Sequence, residues 1–361
     1  MLPAFDVVVV PDFSSPPGAR VFAARTLFFL GSWLENAGEA ARHFPLHLVC
    51  IGEPPAGVRR LAERCGATVH VRETLRQGRS VTINKLRGLE IGEGETGRTL
   101  LVDADVFVLG DFSALADAVP DGIAAAPAGA KWVTEAHWQR IYEAFGLPLS
   151  AERAPTLAYE LGLVPEKEAR RREYGATTDL RRMLPYHNTG VVLVPREGGL
   201  RELWADHQTR IRALFEQDGG LLTRTWLGRL RTWLRGRPKV PRAVSTCDQA
   251  GFASAVQLLR GRGVPFRRLP DPYHARRVHS EAGALTLDDM KIYHAAGFLR
   301  GWDGDRAGLP AAVDRYIREW QEYIRLGAPR RARPATAETD AARVETLLRS
   351  LLDKYVLPAL E

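Results

Sequence analysis

Two carboxylates, Asp103 and Asp105, lie one residue apart in the segment LLVDADVFVLGDF at 100–112, where an apolar run predicts the end of a buried strand. Taking an ionised carboxylate out of water is costly unless a cation or hydrogen bonds compensate. At the carboxyl end of a parallel strand, both side chains can face the crevice in which α/β sheets bind ligands. Carboxylate oxygens suit Mg²⁺ or Mn²⁺ held together with substrate phosphates. The pair therefore predicts a metal and phosphate site, with a solvated turn as the alternative.

The elements that must position this pair alternate between strand and helix. Apolar runs predict strands at 5–10, 46–51, 67–71 and 99–103, and helical spacing predicts helices at 20–43, 55–65 and 82–92. Such alternation predicts a mostly parallel sheet with right-handed crossovers, hence a Rossmann-like nucleotide-binding half. The G-x-G-x-x-G pattern is missing after the first strand, which argues against NAD or FAD.

Further elements follow in the second half of the chain. The pattern predicts a strand at 189–194, helices at 199–217 and 247–260, a strand at 290–294, a linker at 328–340 and a last helix at 341–357. The irregular stretch 128–185, rich in Arg, Glu and aromatic residues, is interpreted as an insertion over the site. The predicted organisation is a main domain at 1–310, with halves at 1–127 and 186–310, and a helical extension at 311–361.

Composition narrows the class of protein. The 361 residues are 45% hydrophobic and 26% charged, which is ordinary for a globular chain. The apolar stretch 21–34 carries Arg25 and is too short to span a bilayer, and Asp6 stands where a signal peptide is basic, so we expect a cytoplasmic protein. Three cysteines without C-x-x-C spacing indicate neither disulfides nor zinc. The net charge of +7 suits an anionic partner, but no nucleic-acid module is recognisable.

Five separated motifs occur in a characteristic order. They are NKL at 84–86, LLVDADVFVLGDFSAL at 100–115, YHNTGVVLV at 186–194, DQ at 248–249 and YHAAGFLRGW at 293–302. With these motifs the chain resembles the retaining nucleotide-sugar glycosyltransferases of the glycogenin and bacterial lipopolysaccharide-galactosyltransferase type. The resemblance implies a GT-A fold, an α/β architecture with a mixed, mostly parallel sheet flanked by helices.

The resemblance also implies a metal site. Asp103 and Asp105 match the D-x-D pair, and His294 matches the third protein ligand of Mn²⁺ or Mg²⁺. The last motif of the family reads H-x-x-G-x-x-K-P-W, and here Gly297 matches while Arg300 replaces the diphosphate-binding Lys. Arg keeps the positive charge and can bind phosphate oxygens bidentately. Gly stands for the Pro that follows, which predicts a more flexible loop.

The other matches imply contacts with the donor. Lys85 resembles a lysine near the nucleotide or donor sugar, Asn188 and Gly190 resemble the donor-sugar pocket, and Asp248 and Gln249 resemble a pair that faces the reacting sugar. Each also has a plain structural alternative, namely a solvated helix face, a turn into a strand, and an N-terminal helix cap. The implied activity is metal-dependent transfer from a nucleoside-diphosphate sugar, UDP-linked, to an unknown acceptor with retention of configuration.

Two other functions and two further partners stay open. A sugar-1-phosphate nucleotidylyltransferase would share the architecture, although PDFSSPPGAR after the first strand is a poor phosphate loop. A non-catalytic scaffold on a membrane surface would use the segment 221–239, whose Leu, Trp and Arg spacing suits either a peripheral helix on the inner face of the membrane or a packed helix with a basic face. A homodimer is the default expectation.

Overall fold

The computed structural model describes residues 4–75, 82–91, 96–128, 135–173, 176–217, 247–327 and 336–360. Its centre is a seven-stranded mixed sheet. The strands are β1 (Asp6–Val9), β2 (Leu46–Ile51), β3 (Thr68–Arg72), β4 (Arg98–Val102), β5 (Val106–Val108), β6 (Ile123–Pro127), β7 (Arg170–Glu173), β8 (Ala176–Asp179), β9 (His187–Pro195), β10 (Phe266–Arg268) and β11 (Ile292–His294).

The order of the central sheet is β10-β6-β9-β4-β1-β2-β3. Strand β9 runs antiparallel to both of its neighbours, β4 and β6, and the remaining pairs are parallel. The α/β fold with a mixed, mostly parallel sheet that the sequence predicted is therefore confirmed. A separate antiparallel pair joins β5 to β11, with His294 opposite Val106, and brings the last strand next to the acidic pair.

Helices cover both faces of the sheet. The α-helices are α1 (Pro16–Asn36), α2 (Ala40–His43), α3 (Ala56–Arg64), α4 (Leu115–Ala118), α5 (Glu135–Ala144), α6 (Leu157–Glu160), α7 (Leu200–Gln217), α8 (Cys247–Gly261), α9 (Arg277–Ala282), α10 (Leu309–Gly327), α11 (Thr336–Leu351) and α12 (Leu357–Ala359). Short 3₁₀ helices span Thr82–Glu90, Glu166–Glu168, Asp271–His274 and Arg306–Gly308, and a π-helical turn spans Leu352–Val356.

Alternation along the strands sends side chains to two separate cores. Val7 and Val9 of β1 join the core that contains α1, α10 and α11, whereas Val8 joins the core under α7 and α8. Trp320 of α10 and Leu348 of α11 belong to the first of these cores. The carboxyl-terminal helices thus pack on the face of the sheet that α1 covers.

Three predicted elements differ in the structure. The helix predicted at 20–43 is interrupted, because α1 ends at Asn36 and α2 begins at Ala40. The helix predicted at 82–92 is a 3₁₀ helix that lies very close to the sheet, since a Cβ on Gly88 would be 2.7 Å from side-chain atoms of Leu101 and Val10. The predicted linker at 328–340 is shorter at its carboxyl end, because α11 already begins at Thr336. The segment 221–239 and residues 328–335 of the linker lie outside the described residues.

Within the described ranges, no helix is both long enough and apolar enough to cross a membrane.

Candidate functional site

Asp103, Asp105 and His294 meet at the carboxyl end of β4. Asp103 follows β4 and donates its backbone N–H to the carbonyl of Gly190 at 2.8 Å. Asp105 precedes β5, and His294 ends β11, the strand paired with β5. The Nε2 atom of His294 is 4.0 Å from Asp103 Oδ2 and 3.4 Å from Asp105 Oδ1. The three residues thus offer one ligand atom each within 4.8 Å of one another.

Each carboxylate turns its second oxygen toward a cationic side chain. Lys85 Nζ is 2.7 Å from Asp103 Oδ1, and Arg25 Nη1 is 3.8 Å from Asp105 Oδ2. Burial by itself raises the pKa of Asp105, but the hydrogen bond with His294 and the nearby positive charges outweigh burial and lower this pKa to about 2. Both carboxylates therefore keep one oxygen directed at His294 and available to a cation.

This donor set fits a divalent ion. Two carboxylate oxygens and one imidazole nitrogen suit Mn²⁺ or Mg²⁺, and neighbouring ligands of an octahedral ion with bonds of about 2.1 Å lie about 3 Å apart. The observed spacings of 3.4 and 4.0 Å need only small side-chain rotations to reach that value. Three protein ligands leave positions of the coordination sphere for phosphate oxygens. Asp103, Asp105 and His294 are therefore the residues that could hold a metal.

A second polar network lies behind the acidic pair. Lys85 Nζ donates to the carbonyl of Thr189 at 2.9 Å and lies 3.8 Å from Asp248 Oδ2, which accepts the Thr189 hydroxyl at 3.0 Å. Burial opposes the charge of Lys85, but Asp103 and Asp248 outweigh it and raise the pKa of the ammonium. Burial raises the pKa of Asp248, and Lys85 counteracts this rise. The network keeps a charged lysine at the edge of the metal site.

The position of His294 depends on a glycine. A Cβ built on Gly190 would lie 2.8 Å from Nε2 of His294 and closer still to its Cε1, so only glycine leaves room for the ring. Asn188 Oδ1 accepts the N–H of Gly190 at 2.8 Å and holds the backbone of β9 at this point. His274 Nε2 lies 3.3 Å from Nδ1 of the same ring, and burial lowers the pKa of His274 well below its usual value. A neutral imidazole therefore contacts the ring nitrogen of His294 that faces away from the carboxylates, as hydrogen-bonding partners of metal-ligating histidines commonly do.

The loop after β11 has an unusual backbone. Gly297 has φ +90° and Gly301 has φ +73°, and Leu299, with φ +58°, is the one non-glycine residue at positive φ in the described part of the chain. Such a conformation is costly for a side chain with a Cβ and persists only when its surroundings hold it. Arg25 supplies one constraint by donating Nε–H and Nη2–H to the carbonyl of Phe298, at 3.0 Å for Nε. The loop, predicted to be flexible, is thus held from α1.

A cavity of about 760 Å³ opens beside the cluster. Its wall includes several residues predicted from the sequence, namely Asn188, Gln249, His294, Gly297 and Arg300.

The structure therefore divides the predicted residues into two groups. The charged cluster at the end of the sheet consists of Lys85, Asp103, Asp105 and Asp248. The wall of the cavity beside it includes Asn188, Gln249, His294, Gly297 and Arg300. His294 belongs to both groups. Gly190 packs against the ring of His294 and does not itself line the cavity.

Two residues of the site did not emerge from sequence reasoning. Arg25 had a signal that could have revealed its role, because it is a lone charge in the otherwise apolar stretch 21–34. His274 had none, since its contact with His294 depends on how the 3₁₀ helix at 271–274 packs against β11.

Solved structures with a similar fold are glycosyltransferases by name. Mouse xyloside xylosyltransferase 1 has a TM-score of 0.39 and 14% identity, over 80% of this chain and 96% of the other. The glycosyltransferase GlyE of Streptococcus pneumoniae has a TM-score of 0.43 and 12% identity, over 89% of this chain and 62% of GlyE. The galactosyltransferase LgtC, in complex with donor and acceptor sugar analogues, has a TM-score of 0.37 and 13% identity, over 88% of this chain and 100% of LgtC.

Comparisons of sequence alone found less. No model of a protein family matches the chain, and no curated protein matches it either. The three solved structures share only 12–14% sequence identity with this chain.

Proposed function

We propose that this chain is a metal-dependent glycosyltransferase that uses a nucleoside-diphosphate sugar of the UDP series as donor. The observation that carries the proposal is the cluster of Asp103, Asp105 and His294 beside a cavity of about 760 Å³. A cavity of this size is within the usual range for small-molecule sites. The positive charges of Lys85 and Arg300 next to the cluster favour a diphosphate as the group that the site receives.

The chemistry of the proposed reaction is electrostatic. As the bond between the anomeric carbon and the phosphate oxygen breaks, negative charge grows on the diphosphate and positive charge on the sugar. Mn²⁺ or Mg²⁺ bound to Asp103, Asp105 and His294 would supply Lewis-acid stabilisation of the leaving diphosphate. Lys85 and Arg300 add positive charge on the side of the leaving diphosphate. Because these charges are already in place, they need no reorganisation during the reaction.

The sugar itself is assigned to polar residues that line the cavity beside the cluster. Asn188 and Gln249 line the cavity and can accept and donate hydrogen bonds to hydroxyl groups. Asp248 lies behind Gln249, where its carboxylate holds Lys85 and adds negative charge near the developing cation. The acceptor hydroxyl forms the new bond to the anomeric carbon and gives its proton to the departing phosphate. The family resemblance implies retention of configuration, and no protein nucleophile is assigned.

A thermal-shift and activity experiment tests the proposal. The protein is heated with UDP-, GDP-, dTDP- and ADP-sugars, each with Mn²⁺, Mg²⁺ or EDTA, since a ligand that binds only the native state raises Tm. We expect a metal-dependent rise with the UDP series. Asp103→Asn and Asp105→Asn should abolish this rise and lower donor turnover about 100-fold, because each removes a ligand charge.

The matched control is Asp117→Asn, which removes a carboxylate on the exposed side of α4 and should leave binding and turnover intact. Full turnover by folded Asp103→Asn and Asp105→Asn proteins contradicts the proposal. Release of pyrophosphate from a nucleoside triphosphate would indicate a nucleotidylyltransferase instead. The anomeric configuration of the product, read by NMR, tests retention.

The remaining expectations about partners stay predictions from the sequence. Salt-sensitive liposome binding that is lost when the arginines of 221–239 are replaced by glutamine would support a peripheral membrane contact. Sedimentation measures whether the chain forms the expected homodimer, and localisation in cells tests the cytoplasmic assignment.

A further inference from the structure

Arg276 is a buried cation on the wall of the cavity. It lies between the 3₁₀ helix at 271–274 and α9, and only 7% of its surface is exposed. One N–H of its guanidinium donates to the carbonyl of Pro127 at the end of β6. Among the described residues the guanidinium has no other hydrogen-bond acceptor, and the buried Nε–H has none.

The neighbouring carboxylate does not pair with this cation. Asp271 lies 3.1 Å from Arg268 and 3.6 Å from His279 and forms its contacts there. Burial lowers the pKa of Arg276 to about 10, so the side chain stays charged at neutral pH. Asp271 attracts the guanidinium of Arg276 from a distance, but no carboxylate of the described residues lies within salt-bridge distance of it. An anion in contact with this guanidinium would offset part of the free-energy cost of burying its charge.

The surrounding wall is positively charged as well. Arg277, Arg300 and Arg315 also line the cavity, against the two glutamates Glu281 and Glu319 among its described lining residues. Glu281 is engaged by Arg277 at 3.1 Å. Among the described lining residues of the cavity, arginines therefore outnumber glutamates.

We propose that Arg276 binds an anionic group, a carboxylate or a phosphate, carried by one of the two sugar substrates. The inference rests on the proposed function and adds the chemical class of a substrate to it. The anion assigned to Arg276 is a second one, because the diphosphate is already assigned to the metal, Lys85 and Arg300. A planar guanidinium suits either anion through paired hydrogen bonds.

The first test measures binding without nucleotide. Glucuronate, glucose 6-phosphate and glucose are titrated by calorimetry into the wild-type protein, Arg276→Met and Arg276→Gln. We expect the two anions to bind the wild type, and Arg276→Met to weaken them roughly 10- to 100-fold, the range for a charge-assisted hydrogen bond. Glucose should be unaffected. Arg262→Gln, an exposed position after α8, is the matched control.

The second test locates the anion on donor or acceptor. Donor hydrolysis without acceptor is compared for UDP-glucose and UDP-glucuronate, and transfer is compared for methyl hexosides, their uronates and their 6-phosphates. A loss confined to UDP-glucuronate places the anion on the donor, and a loss confined to the charged acceptors places it on the acceptor. Absence of metal-dependent donor binding in the wild type contradicts the proposed function, whereas equal binding of glucuronate, glucose 6-phosphate and glucose by wild type and Arg276→Met overturns the inference alone.

Thermal stability separates ligand binding from a structural role. If Arg276 serves a ligand, Arg276→Met removes an unpaired buried charge and keeps or raises Tm. If Arg276 serves only the hydrogen bond to Pro127, both variants lower Tm and weaken charged and neutral ligands alike. That second pattern overturns the inference.

Discussion

Replacing Gly190 by alanine should displace His294 from the candidate metal site. The added Cβ would lie 2.8 Å from Nε2 and closer to Cε1, whereas ordinary contacts are 3.4–4 Å, so the ring must retreat by about 1 Å. His274 contacts Nδ1 of the ring, and β11 is hydrogen-bonded to β5, so little space exists for that retreat. Overpacking of this kind costs about 1–3 kcal/mol of folding free energy.

A functional loss should accompany the loss of stability. A displacement of about 1 Å at a catalytic group can lower a rate about 100-fold. We therefore expect Gly190→Ala to lose Mn²⁺ binding by calorimetry and metal-dependent donor stabilisation in the thermal-shift assay. Gly261→Ala is the matched control, because no atom lies within 4 Å of the Cβ it would add.

A double-mutant cycle isolates the cause. If the clash with His294 carries the destabilisation, Gly190→Ala should cost much less free energy of unfolding in a His294→Ala background than in the wild type. Metal binding should stay absent in the double variant. An equal cost in both backgrounds, or wild-type Mn²⁺ affinity in folded Gly190→Ala protein, refutes the steric argument.

Three more perturbations have defined outcomes. Arg25→Met should weaken UDP-sugar binding about 10-fold, because the carbonyl of Phe298 loses its donors. Arg20→Met, at an exposed position on the same helix, should leave the affinity unchanged. Equal affinities of the two variants in calorimetry would contradict the role of Arg25. Lys85→Met should lower the free energy of unfolding by about 2–3 kcal/mol by leaving carboxylates unpaired, and saturating Mn²⁺ should restore part of it in urea titrations. Burial lowers the pKa of His187 to about 3, so its contribution to stability is lost as pH falls below about 6.5. In His187→Phe, the loss of unfolding free energy between pH 7 and pH 5 should be smaller by about 2 kcal/mol; an unchanged loss would show that His187 does not titrate as described.

The elements near the acidic pair could be predicted from local patterns. The apolar run before Asp103 indicated β4, and the carboxyl end of that strand indicated where its carboxylates would face. Periodicity could not show that β11 pairs with β5, because this contact joins segments almost 190 residues apart. His294 was therefore assigned by resemblance, and the structure now places its ring beside both carboxylates.

Other features depend on three-dimensional packing that no local pattern reports. The segment N-T-G could equally be a plain turn, and only the ring above Gly190 explains why that residue must lack a side chain. The role of Arg25 depends on the approach of α1 to a loop 273 residues later in the chain. At Gly88 the chain approaches the sheet closely, and the helix that apolar spacing predicted at 82–92 is a 3₁₀ helix.

Arg25 touches both halves of the proposed donor site, since it faces Asp105 and donates to the loop that carries Arg300. A cation bound at Asp105 changes the electrostatic potential at the guanidinium of Arg25. A diphosphate bound at the loop changes the surroundings of the Phe298 carbonyl, to which the same guanidinium donates. The two binding events are therefore linked thermodynamically, and the factor by which one ligand changes the affinity for the other must be the same in both directions. Through the side chain of Arg25 on α1, the affinity for the nucleotide would depend on whether the metal is bound.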